Sequence, residues 1–420
     1  MAKFATGHTL DPQAMGRDKS MMRLLAILQL CFLAIWSTGC AVVMEKPALE
    51  DLGMIGVMGF DYLSPKQAKI VVTLPQPSQE AKEKTQMYKT IAYLPNEALM
   101  TLSPKSEKSM SLAQLRVVLF SEEYAKKVGI REVIENLYRN PSVGDNVFVA
   151  IVKGSVEGLM GAKYENKPEF NQFMNDLLHP RRETAFHSFL TIHDVIFRLH
   201  GETSDLDLPY LEQQQGDIQV SKVALFKRDK MVGFLTQREG KINQAIRARL
   251  NLPDMNFKIV ERDTGKKDVE MVVNFVSSNS KIKVQGDVGA PNFQIDMKIY
   301  ARVLAYTGRR DLENPDEWVR VEKDLEHELD RQAMELLKKL QKLSVEPTNL
   351  TDFVRAKYHG QWHKEMAEKA FANATFQVNT DFVVVGFGTL QTSSIEPESM
   401  IAWGGGEAVP LKPYPSRTKE

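Results

Sequence analysis

The chain predicts an α+β fold, with mixed sheets and packed helices in three domains. Three observations carry that reading. Between residues 115 and 155, β-branched runs alternate with short helical patterns at strand–helix–strand spacing. Two apolar runs, 220–226 and 231–235, flank the polar turn Lys227-Arg228-Asp229-Lys230 as the arms of a hairpin. An alternating run over 293–303 leads into a long helix whose apolar residues recur at helical spacing.

The first element is an export signal. Residues 24–36 are mainly apolar and number thirteen, with Arg17, Lys19 and Arg23 before them. That is short of the roughly 20 residues a helix needs to span hydrocarbon, and it fits a secretory core of about 7–15. Ser37-Thr38-Gly39-Cys40 follows, small residues leading to a cysteine. A lipoprotein peptidase needs such side chains before the cleaved bond, and a thiol to take up the lipid. The expectation is therefore a lipoprotein signal peptide over 1–39, cleaved between Gly39 and Cys40. Cys40 would then become an N-palmitoyl, S-diacylglycerol cysteine and tether the protein to a membrane. An uncleaved anchor helix and an ordinary signal cut elsewhere are the competing readings.

Composition narrows the rest. The 420 residues include 54 basic and 54 acidic side chains. Removing Lys3, Arg17, Lys19 and Arg23 against Asp11 and Asp18 leaves 50 and 52, a balance of −2. Such a surface predicts no nucleic-acid partner and no polybasic membrane clamp. Of two cysteines, Cys31 leaves with the signal, so the mature chain would hold no free thiol for disulfide, catalysis or metal.

A lipidated tether is expected over 40–48 and an N-terminal α+β domain over 49–205. Its strands are the glycine-interrupted run from Glu50 to Asp61, then 69–75, 115–120 and 147–152, with 76–90 read as an exposed loop. Ser121 caps a helix that Gly129 stops; further helices follow over 130–138, from Ser155, and within 171–200. The polar stretch 201–216 reads as a linker, and 217–288 as a small middle domain carrying the hairpin, a helix over 242–250 and strands over 269–276 and 281–284. The last domain, 291–390, begins with a strand burying Phe293, Ile295, Met297, Ile299, Ala301 and Val303 on one face. Asn314 then caps the long helix, Pro315 sits at its first position and Glu317 completes a capping-box-like start. Its stripe of Val321, Leu325, Leu329, Leu336, Leu340 and Leu343 packs on its own sheet, or as a coiled-coil seam. A helix over 362–371 and a strand over 376–385 close the domain, and 391–420 reads as a disordered tail.

Candidate chemistry is sparse. His359 and His363 have the spacing of a helical zinc pair, but Gly360 stands where the partner glutamate belongs. His193 and His200, two turns apart on a helix, would lie roughly 10 Å apart, too far for one metal. Gly386-Phe387-Gly388 lacks the third glycine and following helix of a nucleotide loop. Pairs such as Glu122/Glu123 and Asp205/Asp207 read as solvated surface, and no nucleophile elbow occurs. The residues thus predict no catalytic, cofactor or metal site, and an anchored interaction protein in place of an enzyme.

An ordered series of motifs now matters. After the lipobox come EDLG at 50–53, VVLFSEEYAKKVGI at 117–130, LYRN at 137–140 and NVFVAIVKG at 146–154. DLP at 207–209 leads to VALFKRDKMVGFL at 223–235, and the long helix, Trp362 and the 376–385 strand complete the run. Together these resemble the Ger(x)C spore germination lipoproteins. The resemblance implies the C subunit of a nutrient germinant receptor, with three α+β domains and no known catalytic site. It implies a place on the outer face of the spore inner membrane, beside integral-membrane A and B subunits. The hairpin motif would then be sheet core and not a ligand site. A substrate-binding lipoprotein that captures a nutrient itself is the alternative; that class shows two similar lobes, unlike the differing patterns here.

Overall fold

The computed structural model describes residues 26–29, 51–76, 84–249, 252–261, 263–312, 314–388 and 390–391. Residues 26–29 are helical. Gly39, Cys40, the tether and the 392–420 part of the tail lie outside the described residues.

In chain order the body contains β1 (Leu52–Met54), β2 (Val57–Ser64), β3 (Gln67–Pro75), β4 (Thr85–Ala92), α1 (Pro95–Leu102), β5 (Ser109–Ser111) and β6 (Val117–Ser121). Then come α2 (Glu122–Lys127), α3 (Arg131–Tyr138), β7 (Phe148–Val152), α4 (Val156–Gly161), α5 (Phe170–Leu178), α6 (Ile192–His200) and β8 (Asp207–Gln214). The hairpin β9 (Asp217–Lys227) and β10 (Lys230–Thr236) precedes α7 (Gln237–Ile246), β11 (Met255–Ile259), β12 (Val269–Asp287) and β13 (Ala290–Tyr306). The chain ends with α8 (Pro315–Leu343), α9 (Leu350–Lys357), α10 (Lys364–Ala372), β14 (Thr375–Phe387) and β15 (Leu390–Gln391).

The strands form two main sheets and a small parallel pair, β1 with β5. The larger sheet has eight strands in the order β10-β9-β8-β7-β6-β2-β3-β4. Its inner strands β2, β6, β7 and β8 run parallel, and antiparallel strands flank them on both sides. Parallel strands are covered on both faces, so they read as continuous apolar runs; β6 is buried at all five positions. On one face Phe60, Phe120 and Tyr124 stack, with ring centroids 5.2 and 5.6 Å apart, beneath α1, α2, α3 and α6. The other face buries Val156, Met160, Phe173 and Met174 of α4 and α5, and its core continues into the second sheet.

That second sheet runs β11-β12-β13-β14-β15. The alternation along β13 buries Phe293, Ile295, Met297, Ile299, Ala301 and Val303. Asn314 accepts from the Asp316 N–H at 3.0 Å, the expected cap. The Glu317 carboxylate instead faces Arg310 and Arg320. On α8, Val321, Leu325, Leu329, Leu336 and Leu340 are buried in the core shared with the five-stranded sheet, while Leu343 reaches Gly233 on β10 of the larger sheet.

Three segments differ from the sequence reading. Residues 85–90, read as loop, belong to the edge strand β4, where half-buried and exposed positions alternate without a fully buried face. Residues 207–214, read as linker, are β8, a central strand buried from Asp207 to Glu212. The hairpin pairs through β9 with β8 in the eight-stranded sheet, whereas β12 runs unbroken for 19 residues beside β13. Local hairpin chemistry identifies two paired arms but says nothing of which sheet they join.

Candidate functional site

A candidate site lies where residues 203–207, entering β8, meet residues 344–352, which follow α8. Ser344 takes φ 55°, a left-handed helix end that turns the chain off α8 toward β8. Asp205 N–H then donates to the Glu346 carbonyl at 2.8 Å, and Glu346 N–H returns to Asp205 Oδ2 at 2.9 Å. Beside this clasp, Ser204 Oγ donates to Asn349 Oδ1 and Thr203 Oγ1 to Asp352 Oδ1, both at 2.6 Å. The Thr351 hydroxyl donates to the Thr203 carbonyl. Five hydrogen bonds thus join segments some 140 residues apart in sequence.

Deeper in the same seam lies a charged cluster. Asp207 is fully buried, with Arg198 Nη1 at 3.0 Å and Arg247 Nη1 at 3.5 Å. Ser188 donates its N–H to Asp207 at 3.2 Å and accepts from Arg247 at 2.5 Å. Burial alone would raise the Asp207 carboxyl, but Arg198, Arg247 and Ser188 hold it below the ordinary value. Burial pulls Arg247 down to about 10, against the pull of Asp207. Burial likewise lowers His187, whose Nδ1 meets the Ser188 carbonyl at 2.9 Å. The group therefore ties α6, α7 and β8 together as one unit.

Two hollows accompany these groups. One, of about 290 Å³, is walled by Arg247, Ala248, Ser280, Ile282, Asn349 and Phe353. A wider crevice of about 600 Å³ opens at the carboxyl ends of β2, β6 and β7. Its Asp61 is already committed, accepting from Ser155 Oγ at 2.9 Å and from the N–H groups of Val156 and Glu157 at 2.7 and 2.9 Å. Glu122 in its wall is held by Lys126 and the Tyr210 hydroxyl. These polar groups spend their bonds on holding helices to strands.

The sequence candidates fall as follows. His359 lies in the turn after α9 and His363 at the N-terminal boundary of α10, so they share no helix face. His193 and His200 both lie on α6, facing Tyr138 and Glu135. Among the described residues no group of three His, Cys, Asp or Glu could hold a metal ion. Asp205 and Asp207, read as solvated, are the seam itself. The signal was the apolar company of Asp207, between Leu206 and Leu208-Pro209, with Arg198 nine residues earlier.

The seam also marks where two known families of sequence meet. Residues 45–213 match the family described as Spore germination protein N-terminal domain. Residues 221–388 match the one described as Spore germination B3/GerAC like, C-terminal. The chain belongs to the Ger(x)C family of spore germination proteins. Ger(x)C relatives include the spore germination protein GerQC of Bacillus cereus, 23% identical over 359 residues, covering 86% of this chain and 98% of that one. Another is the spore germination protein KC of Bacillus subtilis (strain 168), 20% identical over 370 residues and covering 81% and 89%. The crystal structure of the GerBC protein shares the fold at a TM-score of 0.52 and 17% identity, over 78% of this chain and 96% of that one. In this Ger(x)C protein Thr203, Ser204 and Asp205 lie in the first family domain, and Glu346 to Asp352 in the second. Among the described residues no helix is long and apolar enough to cross a membrane.

Proposed function

We propose that this protein is the membrane-anchored lipoprotein C subunit of a spore nutrient germinant receptor. It acts by protein–protein contact in germinant sensing and signalling, beside integral-membrane A and B subunits, with no catalytic step of its own. The observation that carries the reading is the ordered match of both germination domains along one chain, over 45–213 and 221–388. The seam supports it: its polar groups commit their bonds to joining the two family domains.

Anchoring falls to Cys40, after cleavage behind Gly39, on the outer face of the spore inner membrane. Two diacylglycerol chains at about 0.8 kcal/mol per buried CH₂ hold stably where a single chain is marginal. Confinement to the surface then raises the effective concentration of the membrane partners. Replacing Cys40→Ala at native expression should release the protein from spore membranes and reduce nutrient-triggered germination, with the soluble body still folded. Normal germination by that variant would defeat the tethering argument. Purification of the tagged protein from spore membranes, with its companions identified, tests the A and B partnership directly. Capture of a nutrient by the protein alone is the competing reading, and calorimetry with amino acids and sugars separates the two. The dissimilar eight- and five-stranded sheets speak against the paired lobes of that class.

A further inference from the structure

Glu346 sits sealed in the seam, 5% exposed, where its carboxyl and a backbone carbonyl compete for one hydroxyl hydrogen. Oε1 accepts from the Leu350 N–H at 3.0 Å and from the Thr348 hydroxyl. Oε2 lies 3.2 Å from Thr351 Oγ1, and that same hydroxyl makes a short contact with the Thr203 carbonyl. A hydroxyl has one hydrogen and a carbonyl has none, so Thr351 can serve Thr203 or Glu346 Oε2, not both fully. With that hydrogen on Thr203, the bond between Glu346 and Thr351 needs the acid's own proton. Neutral Glu346 thus heads an unbroken chain through Thr351 to Thr203, crossing from one family domain to the other. Ionised Glu346 would claim the Thr351 hydrogen for itself and strip it from Thr203.

We propose that Glu346 is a proton-controlled latch between the two domains, closed by the neutral acid and released when the acid ionises. Its surroundings favour the neutral form. Burial, reinforced by the neighbouring Asp205 charge, pushes its pKa up to about 8. Asp205 before β8 and Arg247 after α7 act on it directly; Asp207 on β8 with Arg198 on α6, Lys227 on β9, and Asp352 with Arg355 on α9 are the charged groups of the elements joined at the seam. Glu368 on α10 adds a further partner for Lys227. The acid is held more tightly folded than unfolded, where the value is 4.5. Closure is therefore complete at low pH and weakens as pH climbs from the ordinary glutamate range through about 8. The adjoining hollow beside Thr348 and Asn349 leaves room for the released loop to move.

Hydrogen exchange on the full chain in detergent, between about pH 6 and about pH 9, tests this once intrinsic rates are divided out. Protection of the Glu346 and Leu350 amides should fall up to about tenfold per pH unit toward pH 8, while β6 amides keep theirs. Glu346→Gln, a permanently neutral isostere whose amide can donate to Thr351, should abolish that slope. A Glu346→Gln protein with the same slope, or a wild-type seam with none, overturns the latch. If Glu346→Gln does not fold, Thr351→Val serves instead: it breaks the relay and leaves the acid in place. Low seam protection at every pH supports the proposal, and wild-type protection with the wild-type slope refutes it.

Discussion

Glu322 on α8 accepts a hydrogen bond from the backbone N–H of Val384 on β14, at 2.8 Å. One helical turn on, Glu326 accepts from the Phe382 N–H at 3.1 Å, and after another turn Asp330 accepts from Thr380 Oγ1 at 2.6 Å. The row of acids on the helix thus matches, in reverse order, every second residue of the strand. Among the described residues β15 pairs with β14 at Gly386 and Phe387 only, so the rest of this edge would otherwise offer bare donors. An open edge invites another strand, and a helix carrying inward-facing charge is one way proteins close it.

Removing one member of that row should therefore do two things. Glu326→Ala should cost about 1.5–3 kcal/mol, the range for a lost bond to a charged acceptor, read as a shift in the urea midpoint. It should also raise the tendency of the protein to self-associate, read by light scattering of the folded state. A variant that is destabilised but stays monomeric would mean that the acids support α8 without guarding the strand.

Asp207 makes a sharper case. It is buried between two guanidiniums, and removing one member of such a cluster leaves charge without compensation. Asp207→Asn should cost about 3–5 kcal/mol, measured by denaturant unfolding. The pH sign is also fixed. The folded carboxyl is held below its ordinary value of 3.8, so its contribution is full above that value and is lost as pH falls through the depressed one. Acid unfolding of the wild type should therefore contain a component that Asp207→Asn lacks. Identical acid midpoints for the two proteins would show that Arg198 and Arg247 find other partners.

Much of this architecture is legible in the chain, and the limits have physical causes. Ser121 as a cap, Gly129 at φ 95° and the Arg228-Asp229 turn with Arg228 at φ 57° are local matters that residue chemistry settles. The buried faces of β13 and α8 follow from periodicity. What periodicity does not carry is partnership at long range. Asp205, Asp207 and Glu346 look like ordinary surface acids until Asp205 meets Glu346 across 141 residues and Arg198 and Arg247 close on Asp207. The strand β8 is hidden for the same reason, since its buried acids Asp207 and Glu212 are paired with Arg198 on α6 and Lys222 on β9.

Asp61 offers the remaining test, because its three bonds all hold the start of α4. The carboxylate reaches across from β2 to Ser155 and to the N–H groups of Val156 and Glu157, so it acts as a cap supplied by another strand. Ser155 is itself the local cap, receiving the Gly158 N–H at 3.2 Å. Two caps on one short helix need not contribute equally. If the strand-borne cap dominates, Asp61→Ala should cost about 1–2 kcal/mol, and Ser155→Ala clearly less. Lys69 and Lys89, which pair with Glu157 at 2.7 Å, would lose that partner as the helix start loosens. Thermal melts of the two single variants and the double variant decide the matter. A larger loss in Ser155→Ala would reverse the order and make α4 a locally capped helix.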